Sequence, residues 1–168
     1  MVMASLFSHY TAVSQRLHLT FEDGRIHSVV DGVPLQMWFG AHSVHTVAVL
    51  LRPAPFELGI ATKGLVDKAA ELFGSHAGMI GDPAFDAVFR VKGADPARIA
   101  ALLTQEARAA LLEVATEALH PAIDAHSVHL RRFSHGAAYD SEDVIERDFR
   151  EAARLSRVLG AAFGRDAG

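Results

Sequence analysis

The sequence predicts an α+β fold, with an antiparallel sheet (an N-terminal meander plus a later strand and a hairpin) packed against several helices. Three observations carry that prediction. Alternating apolar runs flank Asp31-Gly32, a dipeptide able to take the positive φ values of a tight hairpin turn. Helix-start signals recur further along, at Asp95-Pro96 and at Thr104, where a capping side chain is followed by a residue suited to a first helical turn. Strand-like and helix-like segments follow one another without the strand-helix-strand rhythm of a parallel sheet, which selects α+β over α/β.

Taken in order, Leu6, Tyr10, Val13 and Leu17 recur at helical spacing and predict a short N-terminal helix. Leu17, Leu19 and Phe21 also alternate with His18 and Thr20, so strand and helix both remain open there. The runs 26–30 and 33–39 form the predicted hairpin, with Pro34 near a strand start or on an edge because it cannot donate to a ladder. Strands over 45–52 and 56–62 extend the meander, separated by Pro53-Ala54-Pro55, and 65–73 reads as a short amphipathic helix stopped by Gly74. Phe85, Ala87, Phe89 and Val91 alternate with Asp86, Val88, Arg90 and Lys92, the pattern of a half-buried strand. Asp95-Pro96 opens a helix with Ile99, Leu102 and Leu103 inward, and Thr104 caps a second helix running to about Leu119. His120-Pro121 ends it, and 122–133 forms a small hairpin with Ile123, Val128 and Leu130 inward. The final helix starts near Asp140 or Ser141. Ile145, Phe149, Ala152, Leu159 and Phe163 face the core, and Val144 and Leu155 widen the stripe. Glu142 and Asp143 at its start, with Arg154 and Arg157 toward its end, complement the helix dipole.

The 168 residues suit a single domain over 1–168. Sixteen Lys and Arg against twenty Asp and Glu give a net charge of −4, which argues against a general nucleic-acid binder. Half the residues are apolar, 21% are charged and the mean hydropathy is +0.17, which excludes intrinsic disorder. The absence of cysteine excludes disulfides, thiolate metal centres and thiol catalysis. Residues 1–13 lack the basic start of a signal peptide, and strongly apolar stretches such as 47–51 fall far short of the roughly 18 residues of a membrane span. A cytoplasmic chain without direct membrane insertion is expected. Its ten histidines matter for charge: full protonation would carry it from −4 to +6, so net charge crosses zero, and solubility is weakest, near pH 6.

Gly81-Asp82, Phe85-Asp86, Phe89, Val91 and Gly93, followed by Leu102-Leu103-Thr104, Arg108 and Leu111-Leu112, form a recognisable pattern. Across about residues 78–115 the chain resembles a bacterial domain family of unknown function, whose members often carry membrane segments upstream of the soluble part. A weaker likeness extends to the Asp31-Gly32 hairpin and the final helix. The resemblance implies a bacterial soluble domain, possessing no activity or catalytic residues to carry over, and an association with an envelope or other assembly.

Several constellations imitate chemistry. Ala-His-Ser-Val-His occurs twice, at 41–45 and 125–129. Four imidazoles suit zinc, nickel or copper, but on a strand the histidines of each pentapeptide point to opposite faces, so no metal site is expected. Gly74, Gly78 and Gly81 suggest a phosphate cradle, yet they stand in the order helix, loop, strand, where such loops need strand, loop, helix. The two helices from Asp95 lack the cationic recognition face of a DNA-binding pair. No cofactor signature is present. Asp82 and Asp86, with His76 nearby, imitate an acid–base pair. As the residue before a proline, Asp82 is better suited to a local cap, and Asp86 to the polar side of its strand or to accepting backbone hydrogen bonds near a loop.

Trp38 is the one tryptophan. On a strand, Leu35, Met37 and Phe39 share one face, and Trp38 shares the other with Gln36. If the first face is core, the tryptophan is either buried beneath a helix on the second sheet face or turned toward solvent or a partner, where such residues anchor interfaces. The sequence therefore favours a non-enzymatic module that binds a protein partner or itself through Trp38, Met37 and Gln36. The alternative is a small-molecule-binding or hydrolytic domain using Asp82, Asp86 and nearby histidines.

Overall fold

The computed structural model describes residues 14–40, 42–63, 78–93, 95–116, 118–133 and 142–165. Its elements are β1 (Thr20–Glu22), β2 (Arg25–Val30), β3 (Val33–Phe39), β4 (Ser43–Val49), β5 (Leu58–Thr62), α1 (Pro83–Val88), β6 (Phe89–Gly93), α2 (Pro96–Leu102), α3 (Gln105–Val114), β7 (Leu119–Asp124), β8 (Ser127–Phe133) and α4 (Glu142–Phe163). The fold is α+β. All eight strands join one antiparallel sheet in the order β1-β2-β3-β4-β8-β7-β5-β6.

The first hairpin forms as its sequence dictates. Asp31 and Gly32 both take positive φ, 51° and 79°, so the turn twists with its strands. Asp23-Gly24, with φ of 49° and 72°, makes the same turn between β1 and β2, a signal that the sequence reading passed over. Residues 14–17 are helical and strand geometry begins at Thr20, which settles the ambiguity there. Buried Leu17 caps this end of the core, and its carbonyl accepts from Ser28 Oγ at 2.7 Å. Leu6, Tyr10 and Val13, and the expected 65–73 helix, lie outside the described residues.

Four expectations are corrected. The meander stops at β4, because the β7–β8 hairpin inserts between β4 and β5. The expected strand over Phe85 is helix α1, and only Phe89 onward is extended. Asp82-Pro83 explains it: the Asp82 carboxylate accepts from the Ala84 and Phe85 amides, and Pro83 occupies the first helical position. Helix α3 ends at Val114, short of Leu119, which instead opens β7 after a turn in which Thr116 Oγ1 accepts from the Leu119 amide at 3.0 Å. Arg154 and Arg157 do not serve the end of α4. Arg154 pairs with Glu113 and Glu151, and Arg157 with Asp31. The last turn of α4 has no basic residue of its own, and the Arg52 side chain lies against Gly164 just beyond it.

Burial alternates along the strands, and the inward positions meet one set of helices. Ile26, Leu35, Met37, Ala48, Leu130, Ile123, Ile60 and Val91 are buried, together with Phe149, Leu155, Leu159 and Phe163 of α4. Helix α4 packs across β2, β3, β4 and β8, α3 packs on β7 and α4, and α2 packs on β6. Ile123, Val128 and Leu130 face inward as the sequence predicts. A bidentate ion pair ties sheet to helix: Arg132 Nε donates to Asp148 Oδ2 at 2.7 Å, with only 13% and 3% of the two side chains exposed. Among the described residues, no helix is long and apolar enough to cross a membrane.

Candidate functional site

The opposite face of the sheet is different in chemistry. Register places Trp38 beside His45, His45 beside Arg131 and Arg131 beside His120, one cross-strand row over β3, β4, β8 and β7. A parallel row runs His27, Gln36, Val47, His129, Ala122, Ala61 and Arg90. These side chains are half-buried, neither core nor free surface. Among the described residues no helix covers them.

Trp38 stands between two flat groups. The His45 ring stacks on it at 5.0 Å with an interplanar angle of 4°, and the Arg25 guanidinium lies 5.0 Å from its ring centre, held by Gln36 Oε1 at 2.9 Å. Gln36 and Trp38 therefore share the face opposite the helix-packed one, as the sequence predicts. Met37 does not join them: it is 0% exposed on the helix-packed face, so its side chain is core and has no contact surface to offer. Phe39, on Met37's side, is 41% exposed at the strand end. Four residues along the strands on the same face, Val29 opposite Pro34 and Val49 on β4 are 65% and 44% exposed, leaving an apolar margin apart from Trp38.

The two Ala-His-Ser-Val-His pentapeptides meet through their last residues. β4 pairs with β8, and His45 Nδ1 lies 3.0 Å from His129 Nε2, while Ser43 Oγ lies 2.8 Å from His45 Nε2. Burial, then the neighbouring His45 and Arg131, pulls His129 down to about 4; burial and Arg131 also lower His45. Both rings are neutral at pH 7, each able to donate once and accept once. The Ser43–His45–His129 chain imitates a nucleophile, its base and an orienting group, but Ser43 is only 6% exposed, which closes its hydroxyl to a substrate carbonyl. His42 and His126, the first histidines of the pentapeptides, are exposed and stand apart from this pair. Among the described residues no three His, Asp or Glu side chains gather as metal ligands.

Arg131, beside the pair, has its guanidinium 4.5 Å from the Phe133 ring centre, and its Nε is buried without a hydrogen-bond partner. Sequence alone singles out Trp38 and Gln36 and weighs His45 and His129 only as metal ligands; it misses Arg25 and Arg131. The repeated pentapeptide was the available signal; reading it required knowing that strands 84 residues apart are neighbours.

Asp82 and Asp86 have structural work. Asp82 caps α1 and accepts from Arg108 Nη1 at 3.2 Å, and the Phe85 amide and Arg108 hold its carboxyl below the usual carboxylate range. Asp86 accepts from the Ile80 and Gly81 amides, both at 2.9 Å. His76 and Gly74 lie outside the described residues, and Gly78 is tied to Val91 by a β-bridge. Arg108, the cation on the second helix of the supposed DNA-binding pair, points its guanidinium at the Leu103 and Ala100 carbonyls as well as Asp82. A cleft of about 360 Å³ on the helix side is lined by Glu113, Thr116, Arg132, Arg147, Asp148 and Glu151. Most of these charges are bound to one another or to Arg154, and none is a residue singled out for chemistry.

No protein-family model matches the chain, and no curated protein matches it. Among solved structures, it is similar to the crystal structure of the mycobacterial trehalose monomycolate transport factor A, TtfA, with a TM-score of 0.57 at 8% identity over 94% of this chain and 93% of that one. At that identity the likeness concerns the fold.

Proposed function

We propose that this chain is a non-enzymatic protein-association module of the cytoplasm, and that its contact surface is the helix-free sheet face around Trp38 and Gln36. The observation that carries the reading is the half-buried Trp38 ring, bracketed by Arg25 and His45. A large aromatic ordered before binding loses little entropy on contact, which is what makes tryptophan an effective anchor. The hydrolytic alternative has less support, because the Asp82 and Asp86 carboxylates are engaged by backbone amides. TtfA is named a transport factor; by analogy of fold, the module here would serve an assembly rather than transform a substrate.

A photo-reactive residue in place of Gln36 tests the proposal in cell extract, with Trp38→Ala in the same background as control and circular dichroism to check folding. A discrete cross-linked protein that disappears with Trp38→Ala is expected. Capture unchanged by Trp38→Ala, or equal capture from exposed Glu106 on α3, would remove Trp38 as the anchor.

A further inference from the structure

We propose that the partner of this face is an acidic, extended peptide segment, read by Arg25 and Arg131 on either side of the Trp38–His45 stack. The inference rests on the association reading above and adds the chemistry of what is bound. Overall the chain carries −4, yet its helix-free face has the opposite sign. Its two central rows hold Arg25, Arg131 and Arg90 with His27, His45, His120 and His129, against two carboxylates on that face: Glu22, opposite Arg25 on edge strand β1, and Asp124 at the end of β7, whose charge acts on His129. Among the described residues, neither Arg25 nor Arg131 forms an ion pair, whereas Arg16, Arg108, Arg132, Arg150, Arg154 and Arg157 all do.

Both guanidiniums are fixed by stacking, Arg25 on Trp38 and Arg131 on Phe133. A stacked guanidinium keeps its donors in one plane and loses little freedom when a carboxylate arrives. The one imidazole between them, His45, is held neutral at pH 7 by burial and by Arg131 and adds no competing charge. Arg25 and Arg131 stand three strand spacings apart, β2 to β3 to β4 to β8, or roughly 14 Å at about 4.8 Å per strand. That is the separation of positions i and i+4 in an extended peptide, whose side chains point the same way, and position i+2 would fall over the Trp38 and His45 edges. Arg25, Trp38, His45 and Arg131 stand in one row across paired strands, which suits an extended peptide better than the amphipathic helix that lies in a lipid surface.

The single tryptophan makes the test direct. Trp38 fluorescence and its indole N–H resonance are followed while the full chain is titrated with a synthetic peptide carrying glutamates at its first and fifth positions and leucine at its third. A peptide with lysines in place of the glutamates, vesicles rich in an anionic phospholipid, and a short single-stranded RNA are run in parallel. Saturable binding of the acidic peptide alone is expected, weakened by salt, and about tenfold weaker or worse in Arg131→Gln or Arg25→Gln, the loss of one charge-assisted hydrogen bond. Arg131→Lys should recover part of it, since charge returns without the stacked plane. No response to the acidic peptide, an equal response to the lysine peptide, or binding of vesicles or RNA instead overturns the inference. If cross-linking at Gln36 still captures a Trp38-dependent protein while the arginine variants bind it unchanged, the association reading stands and the acidic-partner inference falls. If Trp38-dependent capture is absent, the association reading itself has failed.

Discussion

At the scale of single residues, His129 couples the site to pH. Its folded-state value, lowered to about 4, lies below the ordinary 6.5, so folding favours the neutral ring. The stability this contributes is complete above about pH 6.5 and is lost as pH falls toward about 4, as the unfolded chain takes up a proton that the folded chain refuses. Between pH 7 and pH 5 the loss is on the order of 2 kcal/mol. Urea unfolding at the two pH values should show that drop, and His129→Gln, which keeps a hydrogen-bonding group beside His45 but cannot titrate, should flatten it; an equal drop in the variant would place the sensitivity in other groups. Gly93 illustrates a different constraint. Its φ is +119°, and a Cβ there would sit 2.3 Å from the Glu57 carbonyl oxygen and 2.9 Å from Leu58 Cα. Backbone cannot yield as a side-chain tip does, so Gly93→Ala should cost about 3 kcal/mol or more, measured as a fall in the urea midpoint with the slope unchanged.

At the scale of elements, α1 is held by its cap. Asp82 Oδ1 accepts from the Ala84 and Phe85 amides and Oδ2 from Arg108, so Asp82→Asn should retain the cap and lose the ion pair, and Asp82→Ala should lose both. Melting temperatures should fall in the order wild type, Asn, Ala; equal losses in the two variants would assign the effect to charge alone. The same helix shows why the sequence was only partly legible. Phe85 and Phe89 stand four apart, a spacing shared by a strand face and a helix turn, and in the folded chain their rings stack at 4.7 Å. Alternation therefore could not decide between the two, whereas Asp82-Pro83 carried the same start signal already recognised at Asp95-Pro96. Signals contained within a few residues, such as the Asp31-Gly32 turn, the Thr104 cap and the stripe of α4, were read correctly. The placement of the β7–β8 hairpin between β4 and β5 has no local signal, because it depends on how the apolar faces close over the helices. The site divides in the same way. Strand alternation alone put Trp38 and Gln36 on one face, but the company of Arg25, His45, His129 and Arg131 follows from register across strands distant in sequence.

At the scale of the whole molecule, charge and stability fail in the same pH range. The formal charge is −4 with ten histidines. His45 and His129 resist protonation, so at most 10 − 2 = 8 imidazoles can offset it as the solution is acidified. Neutrality then requires half of those eight instead of four in ten, which draws the isoelectric point below the 6.2 expected from sequence. Between about pH 5 and 6 the molecule has little net charge to keep copies apart, while the His129 contribution to stability is being withdrawn. Both effects expose apolar surface to self-association, the first by removing repulsion and the second by raising the unfolded population. Light scattering during mild heating should therefore peak in that window. His129→Gln separates the two causes: it should lower the scattering that follows unfolding near pH 5 without moving the solubility minimum of the folded protein, since a ring already neutral there contributes no charge. A solubility maximum near pH 6, or a minimum displaced by His129→Gln, would contradict this account of how the buried imidazoles set the behaviour of the chain in solution.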